Sequence, residues 1–499
     1  MLSTRAGPAG PEEALSRRAG ARYHATMSNP KLGLIGLGVM GANLARNLAG
    51  HGASLVVYDA AASTTERVAA DTGGVGAADV AALAAALPAP RTVFLMVPAG
   101  APVDAAIASL RPHLGRGDAI IDGGNSFYLD TARRQADLAR DGIHFMGFGV
   151  SGGAEGARLG PAIMAGGDAD ALAPHVPLFE AIAARAPDGS ACFARVGSGA
   201  SGHFVKAVHN GIEYAHMQLI AETWHLLRRL AGLDLARGRD IFATWSRGPL
   251  SSFLMECAVR VLDTRDPETG AAVIDAIVDT AEQKGTGQWT ANAALRYGVA
   301  APTLAEAVHA RCLSGLKDER MALEALLGPS TMPFAGDVEA LVRALEPALL
   351  AANVAVLAQG FSLIAAADAE EGWGVDPVNV ARVWRGGCII RSSLLEPVAV
   401  ACARFGRGPT ILRDHDLWKL IEAGDAAWRQ VVVMAVAHGI PVPAFGSALT
   451  YVDGLRTGRL WADMIAAQRD VFGEHGFTRL DRPGRHHATW APYDPAPRG

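Results

Sequence analysis

Lys31-Leu32-Gly33-Leu34-Ile35 runs without a break into Gly36-Leu37-Gly38-Val39-Met40-Gly41 and then Ala42-Asn43-Leu44-Ala45-Arg46. The first five residues read as a short, buried parallel strand. The G-x-G-x-x-G that follows permits a tight turn and a close backbone approach to a pyrophosphate held at a helix N-terminus. A lone glycine motif is weak evidence in a chain with 57 glycines. Here a strand precedes it and a helical stretch follows. A second apolar run, Ser54 to Tyr58, ends in Asp59, placed to accept hydrogen bonds from an adenosine ribose. Together these predict an α/β doubly wound dinucleotide-binding domain at the N-terminal end.

Asp59 also bears on the cofactor. A 2′-phosphate placed beside it meets a like charge, worth roughly 1 to 4 kcal/mol at about 4 Å. Ala60, Ala61 and Ala62 offer no cation in return, and Arg67 is the nearest guanidinium that could swing in. NAD is therefore expected over NADP, with NADP as a second cofactor. Further apolar runs end in turns of the same kind. Val93 to Val97 leads to Pro98-Ala99-Gly100, Ala119 to Asp122 leads to Gly123-Gly124-Asn125-Ser126, and His144 to Val150 leads to Ser151-Gly152-Gly153. Ligands of doubly wound sheets bind at the carboxyl ends of strands, so Asn125 and Ser151 are candidate contacts.

The chain has 499 residues, whereas single cores stop growing near about 250 to 300, so it holds at least two domains. Half the residues are hydrophobic and 19% are charged, as in a soluble globular protein. The net charge of −5 gives no electrostatic case for nucleic acid or a membrane surface. The five cysteines never form C-x-x-C, which points to a reducing cytoplasm and to no cysteine metal site. The 15 histidines include no H-E-x-x-H, and no metal is expected. Pro347 to Ala367 lacks charge but is mostly alanine, and reads as a buried helix of a large helical domain. Residues 1–26 carry four arginines without an apolar run, and read as a disordered extension or a start-site artefact.

A long helical pattern extends from His203 to about Leu230. On it Lys206, His209, Asn210 and Glu213 fall at i, i+3, i+4 and i+7, on one face. Two readings fit that face. One is a solvated polar surface with a Lys–Glu pair. The other is a buried acid–base pair, with lysine lowered and glutamate raised in pKa. Leu219-Ile220-Ala221, Gly232-Leu233-Asp234, Trp245 and Arg247-Gly248 recur as Leu363-Ile364-Ala365, Gly374-Val375-Asp376, Trp384 and Arg385-Gly386, suggesting a duplicated helical unit.

Six separated motifs occur in the order found in decarboxylating 6-phosphogluconate dehydrogenases, which the chain resembles from about residue 31 onward. They are Gly36 to Gly41, Asp122 to Ser126, Gly202 to Tyr214, Lys284 to Thr290, Ala310 to Ser314 and Trp384 to Ser392. The resemblance implies a Rossmann domain (27–200), an all-α duplicated domain for substrate and dimerisation (201–460), and a tail (461–499) that completes a neighbour's site in a homodimer. It implies metal-free oxidation of 6-phosphogluconate at C3 and decarboxylation to ribulose 5-phosphate, with Lys206 as base and Glu213 as acid. Substrate contacts carry over to Asn125, Ser151, Gly152, Gly153, His209 and Asn210, and phosphate contacts to Tyr214, Lys284, Thr286 and Arg311. Arg469 and His475 would act in trans. Cofactor contacts fall on Gly36, Leu37, Gly38, Val39, Met40, Gly41, Asp59, Val97, Pro98, Ala99 and Asn125. The family's common Asn-Arg-Thr after the second strand is here Asp59-Ala60-Ala61, and a usual lysine is Pro98; both changes remove cations and favour NAD. A usual glutamate is Ala154, and Val471 and Gly476-Phe477 depart from the family's tail. A 3-hydroxyisobutyrate-type dehydrogenase is the alternative, but that group lacks the Lys284-Gly285-Thr286 turn and the tail.

Overall fold

The computed structural model describes residues 31–491, apart from 284, 333, 406 and 407. The expectations for residues 1–26 and Lys284 fall outside the described residues. Residues 31–197 form the expected doubly wound domain. Its strands are β1 (Lys31–Ile35), β2 (Ser54–Tyr58), β3 (Val75–Gly76), β4 (Thr92–Leu95), β5 (Ala119–Asp122), β6 (His144–Ser151), β7 (Ala162–Gly166) and β8 (Phe193–Gly197). They lie in the order β3-β2-β1-β4-β5-β6-β7-β8. All neighbouring pairs are parallel except β6 and β7. Between β1 and β4 the chain direction across the sheet reverses, and a crevice opens there at the carboxyl ends.

The helix Ser201–His225 leaves the sheet and continues through a π turn, Leu226–Leu230. It lies directly on β6 and β7 because glycines remove the side chains between them. A Cβ on Gly202 would sit 2.1 Å from the Gly147 carbonyl oxygen, and one on Gly149 would sit 2.5 Å from the Lys206 Cβ. Helix and sheet therefore touch backbone to backbone, and Lys206 is set against the end of β6.

The rest of the body is helical, and the repeat is real. Ser201–His225, Leu235–Trp245 and Phe253–Asp263 correspond to Val338–Glu371, Pro377–Val383 and Leu395–Phe405. In each copy an aspartate caps the short middle helix: Asp234 accepts from Arg237 N–H and Asp376 from Val378 N–H. The copies meet where Ser252 bridges Ser392. A further echo is Gly298 and Gly439, both with positive φ, each followed by a helix with proline in its first turn at Pro302 or Pro443.

The helix Val338–Glu371 has an 18-residue window of mean hydropathy 1.9, enough by composition to cross a membrane, yet 83% of that window is buried inside the protein. It is a core helix. Its alanines let the helix His415–Ala437 approach so closely that a Cβ on Gly424 would lie 2.4 Å from the Pro347 carbonyl oxygen.

One buried acid ties the halves together. The Glu222 carboxylate accepts hydrogen bonds from Ala444 N–H (2.8 Å) and Phe445 N–H (3.0 Å), at the start of the helix Pro443–Arg456. Burial pushes its pKa up from 4.5 to about 7. A raised folded-state value means that the protonated form stabilises the fold below pH 4.5, and that this contribution is lost as pH rises towards 7. Compared with Glu222→Gln, the wild type should lose roughly 3 kcal/mol of relative stability between pH 4.5 and 8. Denaturant melts of both proteins across that range measure it; a constant gap would refute the assignment.

Beyond Arg456 the chain forms the helix Ala462–Gly473 and a small hairpin of Phe477–Thr478 with Arg485–His486. Asp470 organises this hook internally, accepting from Gly476 N–H, His487 Nδ1 and Trp490 Nε1. Its outer face is apolar and uncovered, with Trp461, Met464, Val471, Phe472 and Leu480 exposed.

Candidate active site

The polar face of the helix Ser201–His225 is largely buried, so it is not a solvated surface. Lys206 is 8% exposed and His209 fully buried. Lys206 Nζ donates to Ser151 Oγ (3.1 Å) and lies 3.4 Å from His209 Nδ1. Ser151 Oγ is also 3.3 Å from His209 Nε2, so the end of β6 and the helix share one polar cluster. Asn210 Nδ2 donates to Asn125 Oδ1 (3.4 Å), linking the helix to the loop after β5. That loop is rigid because Asp122 accepts from Gly124 N–H and Ser126 Oγ–H. Gly152 and Gly153 both have positive φ and turn the chain beside Ser151.

Glu213 stands one turn further along, its Oε2 3.8 Å from His209 Nδ1 and its side chain 22% exposed at the wet edge. Burial lowers the pKa of Lys206, against the opposing pull of Glu213, and burial raises that of Glu213, against Lys206 and Arg311. The two values move towards each other, as a base and an acid working near neutrality require. Burial and the nearby Lys206 hold His209 neutral.

Of the expected phosphate contacts, Tyr214, Thr286 and Arg311 lie beyond Glu213. The Arg311 guanidinium stacks 3.4 Å over the Tyr214 ring. Gly287 admits the same ring, since a Cβ there would lie 2.6 Å from it, and Thr286 opens the helix Thr286–Arg296 alongside. Arg469 and His475 are on the outward hook. Among the described residues, no hydrogen bond or ion pair joins either side chain to this cluster.

The dinucleotide loop fits its ligand. Gly36 has φ +91°, and a Cβ on Gly41 would lie 1.9 Å from the Gly36 carbonyl oxygen, so both turn residues must be glycine. Above Gly38 there is open space, and the helix Val39–Gly50 begins with no side-chain cap and no acid in its first turn. Its free N–H groups suit a pyrophosphate. Val97, Pro98 and Ala99 follow β4 on the same edge. Asp59 Oδ2 accepts from Leu37 N–H (2.8 Å) and Oδ1 from Ala61 N–H (3.0 Å), leaving lone pairs for ribose hydroxyls. Among the described residues no three His, Cys, Asp or Glu side chains gather in a metal-holding group.

Some residues of the site escape sequence reasoning. His203 lies buried on the same helix, its Nδ1 2.6 Å from Thr131 Oγ1, and anchors the helix to the sheet domain. Trp384 packs edge-on to His209 at 5.8 Å between centroids and fixes the imidazole plane. Arg46 and Asn43 line the cleft beside Asp59. Trp384 falls within a family motif, but a motif alone gives no role.

Comparison with known proteins adds two family models and full-length relatives. The model of the NAD binding domain of 6-phosphogluconate dehydrogenase matches residues 31–197, and that of the same enzyme's C-terminal domain matches residues 202–490. The NADP(+)-dependent, decarboxylating 6-phosphogluconate dehydrogenase of Bacillus subtilis is 43% identical over 93% of this chain and 100% of its own length. A decarboxylating 6-phosphogluconate dehydrogenase of Synechococcus elongatus is 44% identical, over 93% of this chain and 100% of the relative. Among solved structures, Plasmodium falciparum 6-phosphogluconate dehydrogenase, described in apo form and with NADP+ and 6-phosphogluconate, superposes with a TM-score of 0.89. It is 34% identical and covers 92% of this chain and 100% of its own.

Proposed function

Since the chain belongs to the 6-phosphogluconate dehydrogenase family, we propose that it converts 6-phospho-D-gluconate to D-ribulose 5-phosphate and CO2, a step of the pentose phosphate pathway. The observation that carries this reading is the buried face of Lys206 and Glu213, with pKa values displaced towards each other beside Ser151, His209, Asn210 and Asn125. Full-length coverage of the relatives disfavours a 3-hydroxyisobutyrate-type dehydrogenase.

The substrate carboxylate and hydroxyls meet Asn125, Ser151, Gly152, Gly153, His209 and Asn210. Its phosphate meets Tyr214, Thr286, Arg311 and Lys284. A nicotinamide, when bound, supplies the acceptor for the hydride at C3. Lys206, its pKa lowered by burial, takes the proton of the C3 hydroxyl when it is in its neutral form. Its ammonium then donates a hydrogen bond to the new C3 carbonyl oxygen. That polarisation lets the C1–C2 bond break, with its electrons forming a C2–C3 enediol as CO2 leaves. Lys206 protonates the enediol oxygen and takes that proton back as the ketone forms, while Glu213 protonates the carbon that CO2 left. One proton has then passed from Glu213 to Lys206, and exchange with solvent resets the pair.

NAD is the preferred cofactor in this reading, with NADP second. The Bacillus subtilis relative is named for NADP(+), but here the residues after β2 are Asp59-Ala60-Ala61. Asp59 sits against the glycine loop, where a ribose 2′-substituent would face it. A homodimer belongs to this reading, supported by the exposed apolar face of the hook, and Arg469 and His475 of the partner subunit would then close the phosphate end. Five free cysteines suit a reducing cytoplasm. Initial rates with 6-phosphogluconate should give kcat/KM at least about tenfold higher with NAD than with NADP. Equal or better use of NADP overturns the cofactor reading, and no turnover with either overturns the function.

A further inference from the structure

We propose that Asp71 sets the choice between NAD and NADP by holding two guanidiniums away from the place a 2′-phosphate would take; this rests on the cofactor reading above. A cleft of about 470 Å³ opens beyond β2, lined by Gly38, Asn43, Arg46, Asp59, Thr64 and Arg67 among others. Two arginines in such a cleft would ordinarily make a phosphate site. Both are paired with Asp71 instead, Arg46 closely and Arg67 loosely. Arg46 donates to Asp71 Oδ2 through Nη2 (2.6 Å) and Nε (3.2 Å), and its Nη1 donates to Asn43 Oδ1 (3.2 Å). Arg67 Nη1 lies 3.9 Å from the same Asp71 oxygen, one helical turn away.

Asp71 lies in the last turn of the helix Ala62–Thr72, where a carboxylate opposes the helix dipole, so the two arginines compensate it. Asp71 does not line the cleft. Arg46 and Arg67 against Asp59 and Asp71 sum to zero charge, and a phosphate dianion entering that set gains no net attraction. Without Asp71 the set carries +1, and the half-exposed Arg67 can turn to the ribose 2′ position.

Calorimetric titration of the whole protein with 2′,5′-ADP and with ADP tests this without turnover. Asp71→Ala should bind 2′,5′-ADP about five- to tenfold more tightly than wild type, with ADP affinity changed less than about twofold. The double variant Asp71→Ala/Arg67→Ala should lose that gain, and Asp71→Ala should keep wild-type kcat with NAD as evidence of an intact fold. Equal changes for both ligands, or a gain that survives in Asp71→Ala/Arg67→Ala, would overturn the role of Asp71. The wild-type ratio of NAD to NADP turnover reports separately on Asp59. If wild type favours NADP while Asp71→Ala still gains for 2′,5′-ADP, the Asp59 reading fails and that of Asp71 stands.

Discussion

Lys206→Ala lowers kcat for ribulose 5-phosphate formation by about 10² to 10⁴-fold, the range for a positioned acid or base. The variant keeps its fold, because the neighbours Ser151 and His209 still bond to each other. It loses both tasks of the amine: taking the hydroxyl proton and polarising the carbonyl. Lys206→Arg does not rescue the rate, since a guanidinium stays charged at every pH of interest and cannot act as a base. The pH profile carries a second signature. Wild-type kcat/KM rises as Lys206 loses its proton and falls as Glu213 loses its own, and both limbs lie nearer neutrality than in free side chains because burial displaces both groups. Glu213→Gln should abolish the alkaline limb. A near-normal rate in Lys206→Ala removes the lysine from its role.

Gly202→Ala is the structural counterpart. The added Cβ would lie 2.1 Å from the Gly147 oxygen, 2.6 Å from the Gly166 nitrogen and 2.6 Å from the Met164 oxygen. All three are backbone atoms of the sheet, so no rotamer change relieves the clash and the helix must lift. Overpacking against side chains costs about 1 to 3 kcal/mol, and against a sheet backbone the loss should reach or exceed the upper end. A lift of about 1 Å also misplaces Lys206 and His209, for which a loss of about 10²-fold in kcat is expected. Gly50→Ala, where nothing lies within 4 Å, is the control and should stay within about 0.5 kcal/mol of wild type. Denaturant unfolding and kcat on both variants decide. A Gly202→Ala protein as stable and active as Gly50→Ala would refute the close seating of the catalytic helix.

Much of the fold and the site is legible in the amino-acid sequence, because local chemistry determines it. Short apolar runs ending in glycine turns mark β1, β5 and β6, the run that ends in Asp59 marks β2, and β4 stops at Leu95, two residues before the apolar run does. A spacing of i, i+3, i+4 and i+7 places Lys206, His209, Asn210 and Glu213 on one face, though only the folded structure shows that face to be turned inward. Contacts that depend on tertiary approach are not legible. Gly147, Gly149 and Gly166 look like any strand glycine until a helix is laid on them. Arg46 and Asp71 are 25 residues apart and meet only through the rotations of two helices. Nothing in the sequence sets Glu222 apart from other helix acids, yet it caps a helix start 222 residues away. The repeat is half visible: the Asp234 and Asp376 caps carry it, whereas Pro302 and Pro443 match only once the helices are in place.

If one site oxidises C3 and then releases the adjacent carboxylate, using Lys206 and Glu213 in turn, hydride transfer and carbon loss must stay coupled. Parallel measurement of reduced nucleotide and CO2 from 6-phosphogluconate tests that coupling. One CO2 is expected for each nucleotide reduced, with both signals falling together in Lys206→Ala. Nucleotide reduction without CO2, or neither signal from the wild type, would contradict it.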